Sequence, residues 1–254
     1  MKNKFKILSL LTLIIIMLVG CSKDNKNKNE VVVGFDNGFV PMGYMDESSE
    51  IVGFDIDLAK ETLKRLGMNV KFQSIDWSMK ETELMSGNID VIWNGYSLSE
   101  KRKKIVSYTD SYLQNKQVIV TLKNSSINNK SNLSGKTVGT QQGSTSLEAI
   151  NRDSNFINSI KDKQPVLYDT YDKVFRDLEA KRVDAIVVDE ILARYYISKK
   201  DSSKYKILNE NFGTEDYVVA FSKDNTELKD KVNKTLKDIK KDSTFDEIYD
   251  KWFK

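Results

Sequence analysis

Short apolar runs alternate with amphipathic stretches along this chain, and several of the runs end in a polar residue. Residues 31–35 (VVVGF) have the pattern of a strand buried on both faces, and Asp36 stands at its end. Residues 54–66 place Ile56, Leu58, Ala59, Leu63 and Leu66 at approximately helical spacing, after Gly53 and before a stop at Gly67. Residues 69–74 predict the next strand. A helix opening at Asp76-Trp77 and running through Ser86 leads by Gly87-Asn88 to the apolar run Ile89, Val91 and Ile92. Asn94-Gly95 ends that run, and Ser97, Ser99 and Arg102 follow, with Ser99 placed to cap a short helix. This βαβα alternation predicts a mostly parallel sheet flanked by helices.

The second half repeats the plan. Residues 117–122 (QVIVTL) predict a strand leaving the first unit, and 124–132 (NSSINNKSN) a polar loop. Gln141-Gln142-Gly143-Ser144-Thr145 then opens a helix whose first N–H groups are free for an anion. It is not a P-loop, because no Lys-Ser or Lys-Thr pair follows the glycine. Residues 76–95 and 169–190 share one design: an acidic helix start, an amphipathic helix, a tight turn, and an apolar strand ending in polar residues. Asp189 stands at the second strand end. A helix over 191–199, a strand over 205–208, a strand over 216–221 after a break at Gly213, and helices over 225–242 and 244–253 complete the chain. The pattern predicts two α/β lobes, each presenting a strand end to a shared crevice, which is where open α/β sheets bind ligands.

With 254 residues, 39% hydrophobic and 30% charged, the chain is long enough for two modest domains. Its first thirty residues stand apart. Residues 1–20 carry Lys2, Lys4 and Lys6 ahead of a short apolar core and read as a removable secretory leader. Leu18-Val19-Gly20-Cys21 looks like a bacterial lipobox, so Cys21, the sole cysteine, is expected to carry lipid, with residues 21–30 as the lipidated end and its tether. No other thiol remains for a disulfide or a metal. Those thirty residues hold six Lys and two acids, so the rest has 34 basic against 35 acidic residues, and nothing in it argues for nucleic acid.

Collected together, the polar residues describe opposite ends of one small molecule. Arg102 with Ser97 and the Ser144-Thr145 helix start suits a carboxylate, because the guanidinium fork matches two carboxylate oxygens. Asp189 suits an ammonium. Phe39 and Trp77 offer apolar walls, and Asp36 a polar end, so the set fits an α-amino acid zwitterion. Each residue also has a plainer reading: Arg102 as one base in a run of four, Asp36 and Asp189 as turn residues, Ser144 or Thr145 as a helix cap, the aromatics as core.

Residues 31–254 resemble the amino-acid-binding lipoproteins of ABC importers, the polar amino acid family of type II periplasmic-type binding proteins. The motifs are Gly34-Phe35-Asp36 with Phe39 and Pro41, Gly53-Phe54-Asp55-Ile56-Asp57-Leu58-Ala59, Ser86-Gly87-Asn88-Ile89-Asp90-Val91-Ile92, Ser97-x-Ser99-Glu100-x-Arg102, Gln142-Gly143-Ser144-Thr145, Val187-Val188-Asp189-Glu190 and Asp246-x-Ile248-Tyr249-x-Lys251-Trp252. The resemblance implies a two-lobed type II periplasmic binding protein fold, with lobe 1 from 31–114 and 216–254, lobe 2 from 118–212, and two crossover hinges. It implies that Arg102, with Ser97, Gly95 and Thr145, grips the α-carboxylate, that Asp189 takes the α-ammonium, and that Asp36, Phe39 and Trp77 shape the side-chain pocket.

The implied partners are a polar amino acid (basic, glutamine-like or cystine), a permease with its ATPase, and the membrane through the lipid. The implied protein is a monomer that needs no metal or cofactor. Phe39-Val40-Pro41-Met42 replaces the common Tyr-x-Pro-Phe, and Trp93-Asn94-Gly95-Tyr96 replaces smaller residues, both beside the ligand's side chain. Two other uses of such a fold are a dehydratase for cyclic amino-acid precursors and a sensory or structural surface lipoprotein. The lack of histidine and of a free thiol in the body removes the commonest catalytic base and nucleophile.

Overall fold

A computed structural model describes residues 29–254; the leader, Cys21 and most of the tether lie outside the described residues. Among the described residues thirteen strands form three sheets. The first sheet has the order β5-β1-β6-β13-β7, from Asn69–Ser74, Glu30–Phe35, Val91–Ile92, Ala220–Phe221 and Ser107–Tyr108. The second has the order β10-β9-β11-β8-β12, from Val166–Tyr168, Val138–Gln141, Ala185–Asp189, Leu113–Leu122 and Tyr205–Tyr217. A small antiparallel sheet, β2-β3-β4 (Gly38–Phe39, Gly43–Met45, Ile51–Val52), follows β1.

Two lobes of similar plan are present, yet their sheets are mixed rather than mostly parallel. Strands β1 and β6 run parallel, as do β10, β9 and β11, which are the pairs joined by helical crossovers. By contrast β8 pairs antiparallel with both β11 and β12, and β13 antiparallel with both β6 and β7. The antiparallel strands are those by which the chain leaves the first sheet and comes back. Their polarity is set by the crossing rather than by a βαβ unit.

The crossing strands differ most from the sequence expectation. Strand β8 begins at Leu113, four residues before the apolar run at 117. Strand β12 is a single strand of 13 residues where a break at Gly213 was expected. The glycine, at φ 100°, lies in an irregularity where the register against β8 shifts between Asn211 and Thr214. At the far end Tyr112 N–H donates to Tyr217 O (3.0 Å), Leu98 N–H to Asp216 O (3.0 Å) and Val218 N–H to Tyr96 O (3.0 Å), which ties the strand pair to the first lobe.

Helix α1 (Phe54–Arg65) buries Phe54, Ile56, Leu58, Ala59 and Leu63 against the first sheet, as its periodicity requires. It ends at Gly67 (φ 67°), where Gly67 N–H donates to Lys64 O (3.0 Å) and Met68 N–H to Leu63 O (2.9 Å), a glycine C-cap. The helix expected from Asp76 is a 3₁₀ turn, Trp77–Met79, followed by α2 (Lys80–Met85). The remaining helices are α3 (Glu100–Lys103), α4 (Thr145–Arg152), α5 (Ser154–Ser159), α6 (Tyr171–Glu179), α7 (Glu190–Lys199), α8 (Thr226–Lys241) and α9 (Thr244–Phe253). Helix α9 docks on α1: Trp252 Nε1 and Lys251 Nζ donate to Asp57 Oδ2 (2.8 and 2.7 Å), and the Phe54 ring meets Phe245 and Phe253.

Candidate functional site

The loop after β6 is built to turn polar groups toward the second lobe. Gly95 takes φ 55°, and a Cβ there would lie 2.6 Å from Phe39 Cε1, so Phe39 packs directly on this backbone. Gly95 N–H donates to Asp55 Oδ2 at 2.6 Å, and Asp36 N–H donates to Asn94 Oδ1 at 3.0 Å. Ser99 caps α3, its Oγ accepting from Arg102 N–H at 3.3 Å, which starts the short helix that carries Arg102.

Arg102 is 3% exposed, so the reading as one base in a surface run is excluded. Its guanidinium lies 4.5 Å from the centroid of the Tyr96 ring. Nη1 donates to Ser97 O (2.8 Å), Nη2 to Gly143 O (2.9 Å), and Nε lies 3.6 Å from Glu81 and 3.8 Å from Glu148. Each terminal nitrogen carries two protons and uses one of them on a backbone carbonyl. The other two are left for a fork-shaped bond to a carboxylate. Ser97 Oγ and Asn94 Nδ2, both buried, have no hydrogen-bond partner.

The second lobe brings α4 and the end of β11 to the same crevice. Ser144 spends its hydroxyl within the helix start: Oγ donates to Gln141 O (2.7 Å) and accepts from Leu147 N–H (3.1 Å). Thr145 Oγ1 instead donates to Glu215 Oε2 at 2.8 Å. Asp189, 5% exposed, accepts from Gln117 Nε2 at 2.6 Å and from Asn115 Nδ2. Burial and the nearby Glu215 carboxylate push the Asp189 carboxyl up to about 8, against the opposing pull of Gln117, Tyr217 and the Arg102 charge. Arg102 Nη2 reaches Gly143, two residues before Thr145, and Gln117 Nε2 joins Thr145 Oγ1 (3.3 Å) to Asp189, so groups from both sheets line one crevice.

At the other end Asp36, 3% exposed, accepts from Gly38 N–H (2.9 Å) and from Gln141 Nε2 (2.6 Å), a bond between lobes. Burial raises its pKa; Gln141 and Gly38 oppose that, and the carboxylates of Asp169 and Asp76 add to it. Gln141 Oε1 is buried without a partner. Phe39 lies 6.1 Å from the Tyr171 ring across the lobes. Trp77 is placed differently: its ring meets Tyr96 at 6.3 Å and lies 5.0 Å under Lys80 Nζ, in an apolar cluster with Val32 and Leu84.

Several residues of the site lie outside the sequence expectation. Lys80, 2% exposed on α2, donates to Trp77 O (2.9 Å) and, across the lobes, to Gly143 O (2.8 Å). Asn115, Gln117 and Glu215 lie on the crossing strands and converge on Asp189 and Thr145. A clue existed in the alternation of Asn115 and Gln117 two residues apart just ahead of an apolar strand, which puts both on one face. Among the described residues no group of three or more His, Cys, Asp or Glu side chains is arranged to hold a metal ion.

Residues 31–254 match the family model described as bacterial extracellular solute-binding proteins, family 3. The chain is 29% identical over 256 residues to the arginine-binding extracellular protein ArtP of Bacillus subtilis (strain 168), covering 99% of this chain and 98% of that protein. It is 27% identical to the L-cystine-binding protein TcyJ of Escherichia coli (strain K12), covering 90% of this chain and 84% of that one. Among solved structures, an ABC uptake transporter substrate binding protein from Streptococcus pneumoniae with bound histidine superposes with a TM-score of 0.87 at 36% identity, covering 89% and 92% of the two chains. An ancestral arginine-binding protein bound to arginine gives 0.83 at 39% identity, covering 89% and 99%.

Proposed function

The chain belongs to family 3 of the bacterial extracellular solute-binding proteins, and from that premise we propose that it captures an L-amino acid between its lobes and delivers it to an ABC importer. It is a binding protein and not an enzyme. The observation that supports the reading is a run of contacts: the buried Arg102 guanidinium reaches the Gly143 carbonyl at the start of α4, and Gln117 joins Thr145 of that start to the buried Asp189 carboxyl. In this reading Arg102 grips the α-carboxylate through its two remaining terminal protons, with Thr145, Ser97, the Gly95 backbone and the α4 start that Ser144 caps. Asp189 takes the α-ammonium. Asp36 and Phe39 shape the side-chain pocket, and Trp77 contributes through its ring contact with Tyr96.

The side chain is cationic in this reading. Burial and, to a smaller degree, Asp169 and Asp76 push the Asp36 carboxyl up, and a positive ligand group beside Asp36 opposes that. The relatives named for arginine and the structure with bound histidine support the same class. Lobe 1 then comprises 31–114 and 216–254 and lobe 2 comprises 118–212, with 115–117 and 213–215 as hinges. The mature protein is held at the outer face of the cell membrane as a monomer by lipid on Cys21, with a permease and its ATPase as partners. Each buried CH₂ of acyl chain adds about 0.8 kcal/mol to that anchoring.

The test is calorimetry with L-arginine, L-histidine, L-glutamine and L-cystine on the wild type and on Arg102→Ala. Two charge-assisted bonds at roughly 1.5–3 kcal/mol each predict a loss of at least about a hundredfold in affinity for the preferred ligand. Unchanged affinity removes Arg102 from the site and the reading with it. Replacement of Cys21 by Ser is expected to release the protein from membranes into the medium; retention in the membrane fraction counts against lipid anchoring.

A further inference from the structure

We propose that Glu215 is a second ligand-binding carboxylate, forming with Asp189 a two-carboxylate seat for the α-ammonium of the bound amino acid. The inference rests on the amino-acid reading above. Its geometry comes from the period of two along the crossing strands. In the β8–β12 ladder Glu215 stands opposite Asn115, and in the β11–β8 ladder Asp189 stands opposite Gln117. Asn115, Gln117, Glu215 and Tyr217 therefore share a face and converge where β11 ends.

One amide nitrogen marks how close the two carboxyl groups are. Gln117 Nε2 donates to Asp189 Oδ1 at 2.6 Å and lies 3.0 Å from Glu215 Oε2, while Gln117 Oε1 is turned away to accept from Ser146. Thr145 Oγ1 also donates to Glu215 Oε2, at 2.8 Å. Among the described residues no Lys or Arg nitrogen forms an ion pair with either carboxyl group; the nearest cation acting on Asp189 is Arg102. Two acids that share an amide and lack a cation of their own are a seat for a cation from elsewhere.

A separate observation points to the same occupant. Ser97 is 2% exposed, pairs with Tyr217 in an isolated bridge beside Glu215, and holds an Oγ without a partner. A primary ammonium brings three protons, and Asp189, Glu215 and Ser97 Oγ offer three acceptors. The charged and titratable groups facing Asp189 are Glu215 and Tyr217 from β12, Arg102 from α3 and Tyr171 from α6. Burial and the Glu215 charge push the Asp189 carboxyl up to about 8, and a seated ammonium opposes that shift, so binding favours loss of a proton from the pair.

The experiment uses the mature chain with L-arginine, L-histidine, L-glutamine and L-cystine as probes, on the wild type, Glu215→Gln and Arg102→Ala. At pH 8, Glu215→Gln is expected to weaken every probe the wild type binds by about ten- to a hundredfold, the worth of one charge-assisted hydrogen bond. At pH 7, titrations in buffers of different ionisation enthalpy are expected to show proton release on binding by the wild type, and less by Glu215→Gln. Wild-type affinity in Glu215→Gln, or equal proton release in Glu215→Gln and wild type, overturns the inference. Should Glu215→Gln fail to fold, Glu215→Asp, shorter by one methylene, takes its place under the same criteria of affinity and proton release. Arg102→Ala separates the two levels: intact binding there sinks the amino-acid reading itself, whereas lost binding there with intact binding in Glu215→Gln sinks only the second carboxylate.

Discussion

Asp55 shows how much a single buried side chain outside the ligand's reach decides. It is wholly buried in the first turn of α1, and its Oδ2 accepts from Gly95 N–H (2.6 Å) and Tyr112 O–H (2.9 Å), which joins the helix, the loop beside Arg102 and the start of a crossing strand. Burial pushes its carboxyl up to about 7 against those bonds, compared with about 3.9 in an unfolded chain. The folded state thus holds a proton that the unfolded state has released between pH 4 and 7. Stability falls as pH rises through that window. Asp55→Asn keeps an acceptor without the titration, so melting temperature is expected to fall less from pH 4 to 7 than in the wild type; parallel curves would remove Asp55 as a source of the slope. Lys80 runs the other way. Burial and the Arg102 charge lower it to about 7, the unfolded chain protonates it from about pH 10.4, and stability is lost as pH falls from there to about 7. Lys80→Met is expected to flatten the pH 7–10 limb, measured by the same melts. Arg102 and Asp189 were legible because each is a polar residue just past an apolar strand. Asp55 was not, because an acid in a helix's first turn has an ordinary explanation in the helix dipole.

The turn before α4 is the element on which closure depends. Gly143 has φ 72°, and its carbonyl accepts from both Arg102 Nη2 (2.9 Å) and Lys80 Nζ (2.8 Å), so one peptide of the second lobe is gripped by two cations of the first. A Cβ at Gly143 would stand 2.8 Å from Ser78 Cα, closer than real contacts allow. Gly143→Ala is expected to fold, since the position is local to a turn, but to seat poorly against Ser78. A drop of about tenfold or more in affinity is the expected outcome, tenfold being 1.4 kcal/mol. Wild-type affinity in that variant would show that the turn moves freely. The crossing strands make a similar point about legibility. The start of β8 was underestimated because Asn115 and Lys116 are poor strand formers placed by side-chain bonds and ladder pairing, not by propensity.

At the scale of the molecule, bonds between lobes cluster on either side of the site. Gly143 meets Arg102 and Lys80 at one end, and Gln141 meets Asp36 at the other, with the Tyr44 and Tyr195 hydroxyls 3.4 Å apart farther out. These contacts all need the lobes together, and a ligand spanning the gap favours the same arrangement. Scattering curves with and without L-arginine are expected to show a more compact particle when it is bound. Superimposable curves, with binding verified by calorimetry, would exclude closure on the ligand. Only ligands that prefer the native state raise the melting temperature, so a thermal-shift series over the amino acids ranks the occupants of this gap.

The order of elements, the two-lobed plan and the strand ends carrying Arg102 and Asp189 were all written in the local alternation of apolar and polar residues, because burial on one face or both is a property of a few neighbours in sequence. The mixed polarity of the sheets, the unbroken β12 and the company of Glu215, Gln117, Asn115, Lys80 and Asp55 came only with the tertiary structure. Those residues act through partners 40 to 98 positions away, such as Asp55 with Gly95 and Gln117 with Glu215, and a window along the chain holds no trace of a partner that only the crossing of two strands brings within 3 Å.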